Sequence, residues 1–296
     1  MRIKVTFKAD KLPILYRHRF MALIKEALGR ADADYKKQLY PDKNSEHSEK
    51  VKSFAFSVCP PRFNYDSCPI ETFEITVSNN NKDKSVRPPT VTDKVIPIKP
   101  NEYISMLVSS SDYEFMVNVY NGLLSMKEFE FNNEIKFTLQ KVFMLDEKKI
   151  VSDEVVFKTL SPVLLEEQII EVVNGKEKKK DRYILPPMEI NTTDGEFNTF
   201  FSNIHNGILR DIRSENGMKE HGLYKPLEFV PIELKKRVIK HTIRAFWKKN
   251  PDRPVMKFTC FEGCFRLKGD PRDLQMLYQI GIGLRTGQGF GMVEVG

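Results

Sequence analysis

Five histidines, His18, His47, His205, His221 and His241, are the side chains in this 296-residue sequence best suited to moving protons near neutral pH, because an ordinary imidazole titrates at about 6.5. His47 has a setting of its own. It closes the polar run Tyr40-Pro41-Asp42-Lys43-Asn44-Ser45-Glu46-His47, is followed by Lys50 and Lys52, and has no apolar neighbour that would make it a core residue. Polar loops held by rigid elements are where site residues concentrate, and a nearby lysine suits a developing negative charge. His241 falls in a basic stretch. His18, between Arg17 and Arg19, reads as a surface group, and His205 and His221 show no partner.

The second chemical feature is the tail Gly281-Ile282-Gly283-Leu284-Arg285-Thr286-Gly287-Gln288-Gly289-Phe290-Gly291, with five glycines in eleven residues. Glycines open backbone conformations closed to other residues and allow close approach of a partner. No Gly-Lys-Ser/Thr ends the run, so it is not a Walker loop. Thr286 stands where a dinucleotide fingerprint needs its third glycine. Arg285 and free backbone N–H groups suit phosphate, which makes Arg285, Gly287, Gln288 and Gly289 candidate nucleic-acid contacts. A third feature lies between Lys225 and Arg253, where nine basic residues face three acidic ones, a net charge of +6. Lys235, Lys236, Arg237, Lys240, His241 and Arg244 are the candidates there to follow a polyanion, with Phe246 and Trp247 interleaved.

Composition bounds what must position these groups. With 41% hydrophobic and 29% charged residues, a formal charge of +7 and a pI near 9.0, the chain has the profile of a folded globular protein. Disorder is excluded, since a disordered chain lacks the apolar surface to offset its entropy. No apolar run approaches the roughly 20 residues that cross a bilayer, and the start MRIKVTFKAD has no apolar signal-peptide centre. The expectation is a cytoplasmic protein with no membrane partner. Four cysteines are too few for a disulfide scaffold. Cys260 and Cys264 are spaced C-x3-C without clustered histidines, so neither a zinc site nor any other metal or cofactor is expected.

Periodicity supplies the elements. Arg2–Phe7 alternates as a strand. Leu15, Phe20, Leu23, Ile24, Ala27 and Leu28 line one face of a helix. Strands follow at Ser53–Val58, Phe73–Val77 and Tyr103–Val108, with the polar stretch Asn79–Pro100 read as a connection or irregular hairpin. Asp112 caps a second helix, and Ile135–Leu145 returns as a strand. This β-α-β-β-α-β order is the ferredoxin-like pattern. The second half repeats it: a strand at Val155–Leu160, a hairpin turning at Asn174-Gly175 with Lys176–Lys180 at its solvated tip, and a helix at Phe197–Ser214. Long strands then run over Leu234–Phe246 and Met256–Leu267, followed by a helix after Gly269-Asp270-Pro271 and a last strand at Met292–Val295. The expected fold is α+β, two tandem ferredoxin-like domains over residues 1–150 and 151–296.

The closing Gly287-Gln288-Gly289-Phe290-Gly291-Met292-Val293, with Thr159-Leu160-Ser161-Pro162 opening the second half, resembles the signature of the RAMP superfamily of CRISPR-associated proteins. Within it, the layout is similar to that of the CRISPR repeat-RNA endoribonucleases, the sixth numbered Cas family. The resemblance implies two ferredoxin-like domains and metal-independent cutting, in which a ribose 2′-OH attacks the adjacent phosphate and leaves 2′,3′-cyclic phosphate and 5′-OH ends. It also implies a catalytic histidine in the loop after the first helix, which His47 matches, and a lysine shortly beyond, which Lys52 matches. Members with a triad carry a tyrosine on the first helix. The matching turn here offers Lys25, and Tyr40 or Tyr35 at the helix end stands in, Tyr40 being the one assigned. The implied partner is CRISPR repeat RNA, with other Cas proteins of an effector complex and a homodimer as further partners left open. The alternative is a non-catalytic RAMP subunit that only binds guide RNA. A metal-dependent nuclease would need clustered acids on strand ends, and no convincing pair is present.

Overall fold

The computed structural model describes residues 1–41, 51–75, 88–173, 176–215 and 221–296. Outside the described residues lie His47 and Lys50, the end of the Phe73–Val77 strand, the Asn174-Gly175 turn and the first part of the Asn79–Pro100 stretch. Packing divides the chain into two compact units. One comprises Met1–Ser48, Ser57–Asp146 and Lys240–Lys257, and the other Glu49–Phe56, Glu147–Ile239 and Phe258–Gly296. Neither unit is continuous in sequence.

The first unit contains β1 (Arg2–Lys8), β2 (Lys11–Pro13), α1 (Arg17–Ala31), α2 (Ala33–Leu39), β3 (Phe54–Cys59), β4 (Ile70–Glu74), β5 (Thr90–Pro97), β6 (Ile104–Ser110), α3 (Tyr113–Leu124), β7 (Glu128–Glu130) and β8 (Lys136–Leu145). The unit division falls within β3, after Phe56. Alternation in β1 puts Ile3, Val5 and Phe7 on one face, opposite Val108, Met106 and Ile104 of antiparallel β6, and all six are fully buried. The helices cover that face: Phe20 of α1 packs its ring 6.0 Å from Phe7 and 5.4 Å from Phe137. Asp112 caps α3 by accepting from the Phe115 N–H at 3.0 Å, as its position before the apolar run predicts. The main sheet runs β3-β6-β1-β8-β7, and a satellite sheet runs β2-β5-β4.

The second unit contains β9 (Glu154–Thr159), β10 (Glu166–Val173), β11 (Lys176–Tyr183), α4 (Gly195–Glu215), β12 (Glu228–His241), α5 (Arg244–Lys249), β13 (Met256–Lys268), α6 (Pro271–Ile280) and β14 (Val293–Val295), with the ends of β12 and β13 and all of α5 belonging to the first unit. Its sheet runs β12-β13-β9-β14. Every fourth residue along α4, Phe197, Phe201, His205 and Leu209, faces the core. Pro271 opens α6 behind the Asp270 cap, and Gly281, at φ 90°, closes it. Counted in chain order, β1, β3, β6 and β8 in one sheet and β9, β12, β13 and β14 in the other lie side by side as fourth, first, third, second. The architecture is α+β with antiparallel sheets, consistent with tandem ferredoxin-like domains.

Some expectations change. The polar stretch ending at Pro100 contains strand β5, hidden because its inward face carries Asp93, whose carboxylate meets Lys240 Nζ at 2.7 Å. The strand read over Leu234–Phe246 stops at His241, and residues 244–249 form helix α5. Trp247 there joins a small core with Leu15, Phe73, Ile75 and Val95, and Thr242 Oγ1 donates to Pro254 O at 2.6 Å across the tip. Lys176–Lys180 lie within strand β11 rather than at a tip, paired with Val173 to Ile169. His18 is not a surface group: its Nε2 donates to Ile75 O, and burial pushes the imidazole pKa down to about 3.

Candidate active site and nucleic-acid interface

The glycine loop, residues 281–291, is tied at its root by backbone groups. Ile282 N donates to Gly291 O at 2.8 Å, Gly291 N to Pro162 O at 2.9 Å and Leu284 N to Leu164 O at 2.8 Å. Ser161 adds its hydroxyl, which accepts from Met292 N at 2.9 Å. The Leu-Ser-Pro segment and the glycine tail, far apart in sequence, are therefore one hydrogen-bonded assembly. Gly291 is required at its position: at φ 67°, a Cβ there would lie 1.9 Å from Ile282 O.

A buried histidine holds the loop from below. His205 Nδ1–H donates to Phe201 O at 2.7 Å, and Nε2 accepts from Gly283 N at 2.9 Å, an arrangement that requires the neutral ring. Burial pushes its pKa down to about 4. Sequence spacing shows no partner for His205; its place on the 197-201-205-209 stripe is the available signal that it faces the core.

The loop tip is a short 3-10 turn, Thr286–Gln288, entered by Arg285 in the left-handed conformation at φ 58°. Arg285 reaches Glu166 Oε1 through Nε at 2.8 Å and Nη2 at 2.7 Å, and its Cζ lies 4.9 Å from the Phe258 ring centroid. Its side chain keeps 26% exposure. Glu166 is not a candidate from sequence because its distance along the chain from Arg285 gives no cue. Leu284, Thr286 and Gln288 are half-buried, whereas Gly287 and Gly289 are buried.

Lys52 lies beside this loop. A Cβ on Gly287 would fall 3.5 Å from the Cβ of Lys52 and 3.1 Å from the Phe54 ring, so the absence of a side chain at Gly287 lets the two segments close on each other. The candidate lysine and the candidate phosphate loop are thus brought together within one unit.

Tyr40 sits in the first unit at the end of α2, its N–H bonded to Lys36 O at 2.9 Å. Lys25 Nζ stands 4.2 Å from its ring centroid, so the lysine found where a family tyrosine is expected contacts the tyrosine assigned to replace it. Burial raises the Tyr40 phenol well above the ordinary range and keeps it protonated. Burial, followed by the charge of Lys36, lowers the Lys25 ammonium. Tyr35 is occupied structurally: its hydroxyl donates to Asp112 Oδ2 at 2.7 Å, bracing the cap of α3.

Of the basic candidates, Lys235, Lys236 and Arg237 are exposed along β12, with Arg237 Nε bonded to Glu262 Oε1 at 2.5 Å. Arg244 is exposed on α5. Lys240 is engaged with Asp93, and His241 is fully buried and turned away from solvent. The four cysteines are free thiols. Among the described residues, no group of three or more His, Cys, Asp or Glu is placed to hold a metal ion, and no helix is long and apolar enough to cross a membrane.

Known structures share this fold. One from Pyrococcus furiosus, described as a Cas6-related gene, matches with a TM-score of 0.65 at 18% identity, covering 100% of this chain and 98% of its own. A RAMP protein described as binding different RNA substrates gives 0.63 at 18% identity, covering 100% and 99%. A CRISPR associated protein Cas6 gives 0.63 at 20%, also covering 100% and 99%. No curated protein sequence matches the chain. The protein therefore has the fold these three structures share. The family model "CRISPR associated protein Cas6, C-terminal" matches residues 145–295, just over half of the chain, and the chain belongs to the Cas6 family.

Proposed function

We propose that this chain processes CRISPR repeat RNA by metal-independent cleavage, and that each unit is a ferredoxin-like domain. In this reading His47 handles the proton transfers that activate the 2′-OH and release the 5′-oxygen. Lys52 offsets the charge that develops on the phosphorane, and Tyr40, a neutral phenol, donates a hydrogen bond. Arg285 and the backbone of Gly287, Gln288 and Gly289 hold the RNA backbone. Lys235, Lys236, Arg237 and Arg244 extend that contact. The products carry a 2′,3′-cyclic phosphate and a 5′-OH.

The observation that supports the reading best is the closure of Lys52 onto Gly287, which joins the end of the candidate catalytic loop to the phosphate loop. Family membership and the likeness to a RAMP protein described as binding different RNA substrates point the same way. The test is incubation with repeat RNA in EDTA, using wild type and His47→Ala and a second RNA carrying 2′-deoxy at the cut. Expected are cutting by wild type, survival of the deoxy RNA and a loss of about 10²–10⁴ in rate for the variant. Undiminished cutting by His47→Ala moves the chemistry elsewhere. Binding of every repeat without cutting returns the non-catalytic subunit.

A further inference from the structure

The turn that follows β3, residues 62–68, exposes two aromatic rings that neither the core nor the candidate site uses. Phe63 is 41% and Tyr65 48% exposed. The turn that carries them is held by hydrogen bonds. Asn64 Oδ1 accepts from Asp66 N at 3.0 Å, and Asn64 O accepts from Ser67 N at 3.2 Å and from Cys68 Sγ at 3.4 Å. Tyr65 O accepts from Cys68 N at 3.3 Å and from Lys94 Nζ at 2.6 Å, and Cys68 is tucked in at 6% exposure. The turn is stapled five ways while its rings stay in water at no gain to the core, so little backbone ordering remains to be lost when something covers them.

The charges around the rings say what kind of surface covers them. Arg62 is exposed next to Phe63, and Lys94 Nζ stands 4.2 Å from the Tyr65 ring centroid. The ion pair from Lys94 to Asp66, at 3.9 Å with the aspartate side chain 94% exposed, is too open to neutralise that lysine. Val95, next along β5, shares a small core with Trp247, which ties the turn to the lobe that carries the exposed cations Arg244, Lys248, Lys249 and Arg253. Between and beside the rings stand Asn64, Asp66 and Ser67, so the turn offers two separate flat platforms rather than the continuous apolar patch of a protein-docking face. Flat rings among cations are what unpaired nucleotides stack on, since every base has a π-face and every nucleotide brings a phosphate.

We infer that Phe63 and Tyr65 form a stacking site for unpaired RNA bases, outside the glycine loop and the basic strand, with Arg62 and Lys94 attending the phosphates. This rests on the reading of the chain as an RNA-binding protein and assigns it a place where single-stranded nucleotides are gripped.

The full chain is titrated with a fluorescent single-stranded oligoadenylate, with a blunt RNA duplex of equal length, and with an oligoadenylate containing 2-aminopurine. Wild type, Phe63→Ala/Tyr65→Ala, Tyr65→Phe and Lys248→Ala are compared, with thermal melts as the folding control. Stacking predicts a single-strand Kd weakened about 10- to 100-fold in the double variant, unchanged duplex binding, and loss of the 2-aminopurine quenching that wild type gives. Tyr65→Phe keeps both signals. The slope of log Kd against log salt stays unchanged in the double variant and falls in Lys248→Ala, because stacking releases no counterions. Unchanged single-strand affinity in a folded double variant overturns the stacking site while leaving RNA binding intact. Failure of wild type to bind either RNA overturns both.

Discussion

In the first unit the two sheet-covering helices meet backbone to backbone: a Cβ on Gly122 of α3 would lie 1.9 Å from Ala27 O of α1. In the second unit, with the same strand order, α4 and α6 meet through charge. Arg213 Nη2 reaches Asp273 Oδ1 at 2.7 Å with side chains 4% and 0% exposed, and Asp273 Oδ2 accepts from Tyr224 N at 2.7 Å. Arg213 also donates to Gly222 O, and the guanidinium carbons of Arg213 and Arg272 lie 4.5 Å and 3.6 Å from the Tyr224 ring centroid. One topology thus admits a dry contact between small residues and a buried ionic one. The ionic contact also fixes the segment that leads into basic strand β12, whereas the contact at Gly122 does nothing beyond packing. Each unit also buries a histidine in its first long helix. His18 braces the end of β4 through Ile75 O, and His205 braces the glycine loop.

The largest expected effect falls on the ionic contact. Asp273→Ala leaves Arg213 buried without its partner and costs about 3–5 kcal/mol, read by urea unfolding; a loss under about 1 kcal/mol would erase the distinction between the two helix pairs. The histidines come next. Each folded-state pKa is depressed, to about 4 for His205 and about 3 for His18. Both stay neutral in the folded chain while the unfolded chain gains protons below about pH 6.5. Stability is therefore lost as pH falls from about 6.5, and the His205 share levels off near pH 4 after about 3 kcal/mol. His205→Gln is expected to flatten the pH dependence by about 1.4 kcal/mol per unit within that window, and a slope equal to wild type would refute the assignment.

Gly122→Ala tests the dry contact. The helices must part, at about 1–3 kcal/mol, measured by the shift in thermal midpoint, and an unchanged midpoint would mean that α1 and α3 pack with slack. The smallest effect concerns Arg285. Glu166→Gln removes the negative charge it faces, and RNA binding is expected to tighten about two- to threefold at low salt and to converge with wild type at high salt. Weaker binding instead would show that Glu166 serves to aim the arginine.

Where side chains alternate against a core, the sequence is readable. β1, β6, α3 with its Asp112 cap, and α6 with Pro271 and Gly281 lie within a few residues of their expected bounds, because local pattern and tertiary burial agree there. β5 and α5 defeat a local reading because their inward positions are satisfied from far along the chain: Asp93 by Lys240, and Trp247 by Leu15, Phe73 and Val95. The same holds for the candidate site. The glycine tail stands out as text, whereas the partners that shape it, His205 and Glu166, are nearly eighty and more than a hundred residues away respectively and marked by no spacing rule. Lys52 is found by resemblance, and its closeness to Gly287 is a fact of folding that no local pattern carries.

Lys240–Lys257 pack in the first unit although they are made late in synthesis. Most of that unit leaves the ribosome by Asp146, but the Trp247 side chain that completes its small core is made about a hundred residues later, roughly 5–20 s at 5–20 residues per second. Through that interval Leu15, Phe73, Ile75 and Val95 await their cover. The nascent first unit is therefore a target for chaperones and proteases until the second is nearly complete. A chain stopped at residue 146 would carry that exposed cluster permanently.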